Sequence, residues 1–430
     1  MMNMFALGLE EVFEPREHLL TDLGIARLGY ADDLHLFGKV AALERRWPLI
    51  VGTLAAAGLE VQPTKSKFWS PTADRREANR SLRVDPAVTS FASTVKRSCG
   101  GLDLLGGAAA TTQDVAHFVT TGTPITITAH ADKRLEKASY YADRVRAFEV
   151  SQVNPYVTHK AWMITTKSVA KAFSYDAALI PRQVLEPAVK PVMDKVYNIA
   201  SLCAGGLDGE TDAKDRLRLA PCFGGCGLRF EGVGLQSDAA FFATWATLAK
   251  RMGALFDAKG WTRRTMAGSE SADHAKQRLL EAGVCVDLEG AVRFTAAAEC
   301  IYTSTPWVQD IPVRNNTLGT ATAVAETRVG GWTPGRVPKR MIGRICKHLD
   351  AIEAAKLYLD PQQAPNDHDR AYKRQVMLSS GGPFSGSIWT EIPSEREFFD
   401  QSHFTMATRR RLAVVQVAEG MTCQLAESAG

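Results

Sequence analysis

The feature that most constrains this chain is Tyr30-Ala31-Asp32-Asp33, set between two apolar runs. Ile25, Leu28 and Tyr30 precede the acids, and Leu34, Leu36 and Phe37 follow them. Short apolar runs on either side of an acidic pair predict two strands joined by a tight turn. Such a turn points adjacent carboxylates into one small volume. Hard cations such as Mg²⁺ or Mn²⁺ take oxygen ligands, so Asp32 and Asp33 are candidate metal ligands and catalytic residues. Asp also favours turns for the sake of its own backbone hydrogen bonds, so an acidic surface turn is the plain alternative.

Beyond the hairpin, Leu43, Trp47, Ile50, Leu54 and Ala57 recur at helical spacing, and Gly58 stands where a C-terminal cap would. Pro48 predicts that this helix kinks or starts there. A loop over Gln62 to Ser66 and a strand at Phe68-Trp69 follow, so 24–70 reads strand–turn–strand–helix–strand. Residues 71–100 are polar and irregular, and Gly100 to Gly107 brackets a short strand. From there the chain reads as mostly helical. Between Asp132 and Phe148, one face carries Leu135, Ala138, Ala142 and Val145, and another carries Lys133, Lys137, Tyr140 and Arg144. Two or three helices fill 150–205. The glycine-rich segment Leu219 to Arg229 separates them from a C-terminal helical region. Residues 303–340 read as a long loop.

With 430 residues, the chain is long enough for two or three domains. A net charge of +4 permits a nucleic-acid partner without arguing for one. Eight cysteines in a chain this long need no disulfide framework. Cys222 and Cys226 lack a second pair at zinc spacing and read as free thiols, so no zinc is expected. The segment from Met1 to Phe13 has no basic leader, and the apolar run Leu49 to Leu59 is well short of the ~20 residues a membrane span needs. A soluble intracellular protein, nuclear or cytoplasmic and without membrane association, is the expectation.

Taken in order, the motifs resemble those of a non-LTR (LINE-type) retrotransposon reverse transcriptase. Tyr30-Ala31-Asp32-Asp33 resembles the YxDD hairpin of that family. Gly58-Leu59 and Val61-Gln62-Pro63-Thr64-Lys65-Ser66 resemble its "GL.LN..KS" segment, with Gln62 in place of the Asn. Gly101 to Gly106 resembles the "LG" strand that ends the palm and supports the primer. Leu219-Ala220-Pro221 with Gly224 to Arg229 resembles a downstream "LP...GGLGLR" segment, expected to pack closely against a neighbour. Trp389, Pro393, Phe404, Arg409 and Leu412 follow a looser C-terminal pattern.

The resemblance implies an α+β, predominantly helical chain. A partial palm, an antiparallel sheet with helices on one face, would span 1–107. A helical thumb-like region would span 108–215, and a mainly helical region 216–430. RNA-directed DNA polymerase (nucleotidyltransferase) chemistry is implied, with Mg²⁺ or Mn²⁺ on Asp32 and Asp33 and an RNA template and DNA primer as partners. Lys65 would reach the triphosphate. Tyr30, Ala31, Leu105 and Gly106 would lie near nucleotide or primer. Lys133, Lys137, Tyr140 and Arg144 would meet nucleic acid.

Met4 to Leu9 resembles the helix that follows the pocket segment of the palm. On that comparison residue 1 falls inside the palm. The fingers and a first catalytic Asp would then not be encoded here, and these residues alone are expected to be inactive.

Two other readings stay open. One is a non-catalytic nucleic-acid-binding or interaction remnant, using the basic helix face and Arg409-Arg410-Arg411. The other is a metal-dependent hydrolase using Asp32 and Asp33, against which the histidines show no HxH or HxxxH cluster.

Overall fold

The computed structural model describes residues 22, 24–30, 33–69, 81–84, 93–96, 102–104, 107–109, 112–122, 126–151, 154–207, 211–258, 270–287, 290–305, 336–359, 367–380, 389, 398–412 and 414. The fold is α+β and predominantly helical, and it divides into two compact units, Met1–Ile127 and Thr128–Gly430. The described strands pair as four two-stranded antiparallel sheets.

The first unit opens with β1 (Ala26–Tyr30) and β2 (Asp33–Phe37), a hairpin in which Tyr30 faces Asp33 and Ala26 faces Phe37. Helix α1 (Val40–Ala56) follows and runs through Pro48 without ending. Ile50 and Leu54 of α1 and Ile25 beside β1 are buried together. Leu34, Leu36, Leu43, Leu59 and Val61 pack around them. The spacing of Leu43, Ile50 and Leu54 is what makes this a single helix face.

The helix stops at Gly58, whose φ of 74° is a left-handed conformation that suits glycine. Gly58 N–H donates to Ala55 O and Leu59 N–H to Leu54 O, closing the last turn while Leu59 folds back on Leu54. The polar stretch 71–100 contains an unforeseen hairpin, β3 (Ser81–Val84) with β4 (Ser93–Lys96). The expected strand near 100–107 is also half of a hairpin, β5 (Leu102–Leu104) with β6 (Gly107–Ala109). Phe68 makes only an isolated bridge, and α2 (Thr112–Thr121) follows the hairpins. The helix expected at residue 1 lies outside the described residues.

The second unit begins with α3 (Thr126–Ser151), α4 (Val157–Lys167), α5 (Ser174–Leu179) and α6 (Arg182–Cys203). Next come α7 (Thr211–Arg218), α8 (Gly234–Ala258) and α9 (Glu270–Glu281). A hairpin of β7 (Val284–Val286) and β8 (Val292–Phe294) leads to α10 (Ala296–Thr303). Then α11 (Arg336–Leu359), α12 (Asp367–Ser380) and α13 (Gln401–Arg411) follow. Of the loop expected over 303–340, residues 306–335 lie outside the described residues, and 336–340 already belong to α11.

One core holds Phe242, Ala246, Leu279, Val284, Val292 and Ile345, so α8, α9, the β7–β8 hairpin and α11 share it. Ion pairs brace this layer. Asp238 of α8, 0% exposed, receives Arg182 Nη1 of α6 at 3.1 Å. It also receives Arg278 of α9 through Nε at 3.0–3.1 Å and Nη2 at 2.6 Å. The bidentate grip suits the planar guanidinium.

Leu219 to Arg229 turns back on the end of α7. Leu228 N–H donates to Leu217 O and Gly227 N–H to Leu219 O, both at 2.9 Å. Arg229 then pairs with Asp350 of α11. Burial pushes the Asp350 carboxyl up to about 6, against the downward pull of Arg229. Because this group is higher in the folded than in the unfolded chain, its contribution to stability is full below about pH 4. It is lost as pH rises to about 6. Asp350→Asn is therefore expected to remove a decline in stability between pH 4 and 6 that urea titrations of the parent chain would show.

Candidate functional site

The β1–β2 register puts Tyr30 directly opposite Asp33. Asp33 is thus the first residue of the second strand, and only Ala31 and Asp32 stand between the strands. A two-residue connection is the tightest common hairpin link. Ala31 and Asp32 themselves lie outside the described residues. The hairpin is held from below: Leu34 and Leu36 sit on α1, while His35 occupies the other face of β2 by the two-residue period of a strand.

Lys65 follows α1 in a tight turn. Gln62 O accepts from Lys65 N–H at 3.1 Å, from Ser66 N–H at 2.9 Å and from Ser66 Oγ at 2.9 Å. The Lys65 side chain is exposed. Val61, one residue before this turn, packs in the same cluster as Leu34 and Leu36, so one small core anchors both the hairpin and the lysine turn. Leu105 and Gly106 fall between the paired Leu104 and Gly107 of the β5–β6 hairpin and lie outside the described residues. No group of three or more His, Cys, Asp or Glu residues is placed to hold a metal among the described residues.

In the second unit, α3 keeps the two faces read from its spacing. Ala138, Ala142 and Val145 are buried and Leu135 is half-buried. Lys133, Lys137, Tyr140 and Arg144 are all exposed. Arg144 Nη1 donates to Tyr140 Oη at 3.1 Å, and its guanidinium carbon lies 5.7 Å from the centre of that ring. Tyr141 meets Tyr140 edge-on at 5.7 Å. The face therefore offers cations beside aromatic rings, which suits phosphates and bases.

The arginine triplet near the C-terminus behaves differently. Arg409 Nη1 reaches Ala204 O, Gly205 O and Gly206 O at 2.9–3.4 Å, where α6 ends. Arg411 is buried. It donates to Gly225 O and Pro221 O, each at 2.7 Å, and lies over the Trp389 ring at 4.5 Å. Burial lowers its basicity. Of the triplet only Arg410 faces solvent, so as a patch for a polyanion it is largely spent on internal carbonyls. A sequence can show three cations in a row but not the carbonyls that claim two of them.

The described cysteines, Cys203, Cys222, Cys226, Cys285, Cys300 and Cys346, are free thiols. Burial pushes Cys226 and Cys346 up to about 12, which keeps them protonated and unreactive. Among the described residues, no helix is long and apolar enough to cross a membrane. Comparison with protein-family models, with curated proteins and with solved structures finds no match.

Proposed function

We propose that this chain is a reverse-transcriptase-like module of retrotransposon ancestry, with Asp32 and Asp33 on the β1–β2 hairpin as ligands for Mg²⁺ or Mn²⁺. The observation that carries the reading is the Tyr30–Asp33 register, which leaves only Ala31 and Asp32 between the two paired strands. It is supported by the order hairpin, glycine-capped helix, lysine turn, all resting on one core. In this reading Lys65 neutralises charge developing on a triphosphate. In-line phosphoryl displacement uses two ions roughly 3.5–4 Å apart. Two carboxylates on one turn supply part of that ligand set, and the resemblance puts a further carboxylate on another strand.

The test is therefore ion-dependent binding, with extension as a second readout. Fluorescence anisotropy of a DNA primer annealed to an RNA template is measured with and without Mg²⁺. Mg²⁺ is expected to tighten binding by the parent chain but not by the Asp32→Asn/Asp33→Asn variant. Binding by the parent that ignores Mg²⁺ would falsify the reading. Primer extension abolished by Asp33→Asn would show the chain complete enough for chemistry.

A second reading, a non-catalytic nucleic-acid-binding remnant, is favoured by the exposed α3 face. Its signature is a steep salt dependence without an Mg²⁺ effect. Each of Lys133→Ala, Lys137→Ala and Arg144→Ala is expected to reduce the slope of log affinity against log salt by about 0.7–0.9. An unchanged slope in all three would remove α3 from the interface.

A further inference from the structure

The outer face of α3 carries rings as well as cations. Lys133, Lys137, the Tyr140–Tyr141 pair, Arg144 and Phe148 are all exposed. Successive positions lie three or four residues apart, so they share one stripe of the helix. Tyr140 is 56% exposed, the most exposed aromatic side chain among the described residues, and Tyr141 is 48% exposed. Rings of this size normally add their apolar area to a core or an interface, yet about half of each here faces water. Their planes stand at 66° with centres 5.7 Å apart, so the two rings look in different directions and each offers a separate surface. Arg144 lies over Tyr140, 5.7 Å from the ring centre, and donates to its hydroxyl at 3.1 Å, which steadies that ring.

The charge on this face is mixed. Asp132 and Glu136 are exposed beside the lysines, and Lys195 of α6 holds Asp143 at 2.7 Å. Glu136 lies on the stripe itself, three residues from Lys133 and four from Tyr140. Three cations with a carboxylate among them neutralise few phosphates, and the electrostatic part of affinity scales with the phosphates met. A ligand held by charge alone would therefore be held weakly.

Stacking separates the classes of nucleic acid. In a duplex each base is covered above and below by its neighbours, and only its edges reach the grooves. A tyrosine on a helix surface then has no flat face to lie against. In a single strand those faces come free, and an aromatic ring takes them whatever the sequence. The stripe from Lys133 to Phe148 is about 22 Å long at roughly 1.5 Å per residue, room for several nucleotides.

We propose that the α3 face is a single-strand platform: Tyr140 and Tyr141 stack on unpaired bases while Lys133, Lys137 and Arg144 hold the phosphates on either side. The inference rests on the reading of α3 as a nucleic-acid face and names the class of strand that face accepts. RNA and DNA share this chemistry, since both offer an unpaired base and a phosphodiester. Glu136 works against the strand.

Fluorescence anisotropy of the full chain, in EDTA at one low salt concentration, tests this with three labelled probes. They are an oligouridylate, an oligothymidylate of the same length, and that oligothymidylate in a blunt duplex with oligoadenylate. Both single strands are expected to bind more tightly than the duplex, and a preference between them names the sugar. Tyr140→Ala and Tyr141→Ala should each weaken single-strand binding roughly 5- to 150-fold, the loss of about one stacked base. Neither should change duplex binding or the slope of affinity against salt. Tyr140→Phe keeps the ring face and should keep the affinity, and Glu136→Gln should tighten every probe. A duplex bound as well as the single strands overturns the platform, as do alanine variants that bind single strands like the parent. Neither result touches the salt-slope test of the α3 cations. If no probe binds, the platform and the nucleic-acid reading of α3 fall together, and the face is left to a protein partner. Should an alanine variant fail to fold, ultraviolet cross-linking of the parent to an iodouracil-containing strand decides. The adduct must lie on Tyr140 or Tyr141, and an adduct found only elsewhere overturns the proposal.

Discussion

Asp238→Ala is expected to lower the stability of the second unit by about 3 kcal/mol, seen as a lower urea midpoint of its main unfolding transition. The carboxylate is fully buried, and two guanidiniums from α6 and α9 converge on it. Among the described residues, deleting it removes the carboxylate that Arg182 of α6 and Arg278 of α9 share, and leaves Glu186 as a partner of Arg182 alone. Breaking a buried pair from one side costs about 3–5 kcal/mol, because the surviving charge is left uncompensated. Each arginine is 27% exposed, so water relieves part of that penalty and the lower end applies. The triple change Asp238→Leu, Arg182→Met and Arg278→Met separates the causes. If the loss comes from stranded charge, the triple variant recovers most of it. If it recovers nothing, the network contributes by its own attraction.

Gly225→Ala is expected to cost about 3 kcal/mol or more and to leave little folded protein at 37 °C. A methyl group there would run into the carbonyl and Cβ of Leu219 and come within 2.6 Å of Arg216 O. These are backbone neighbours, not flexible tips, and Arg411 already grips the Gly225 carbonyl from the other side. Overpacking that can be relieved only by moving backbone lies at the top of the usual 1–3 kcal/mol range or above it. Gly343→Ala is the contrast. It lies inside α11 with open space around it, and alanine there should stabilise by about 0.5–1 kcal/mol. Thermal melts of the two variants should move in opposite directions.

These residues also show what a sequence can and cannot display. Local features are legible. The hairpin at Tyr30 follows from apolar runs on either side of a polar pair, the cap at Gly58 from its place after a helical repeat, and the two faces of α3 from residue spacing. The register was not fully legible: Asp33 sits in β2, because Tyr30 pairs with it directly. The β3–β4 hairpin escapes notice because each strand is four residues long and embedded in polar sequence. Pairings at long separation leave no local trace. Asp238 meets Arg182 across 56 residues and Arg278 across 40, and nothing near any of the three announces it. Arg411 reaches Gly225 across 186 residues, so a basic triplet looks like a surface patch until the chain closes. At the candidate site the residue types are legible, but the one core that carries both the β1–β2 hairpin and the lysine turn is not.

The packing of Trp389 and residues 398–412 on α4 and α6 has a consequence for the order in which this protein can be made. Trp162 and His159 wait for partners 227 and 240 residues further along the chain. At roughly 5–20 residues per second, a ribosome needs about 10–50 s to supply them. Through that interval the face later covered by Trp389 and Phe404 has neither of them against it. The N-terminal part of the second unit is then a sticky nascent chain, and its closure waits until Trp389 and Phe399 have been made. Slowing elongation past residue 203 should lengthen that exposure and raise the share of chains that aggregate or recruit chaperones.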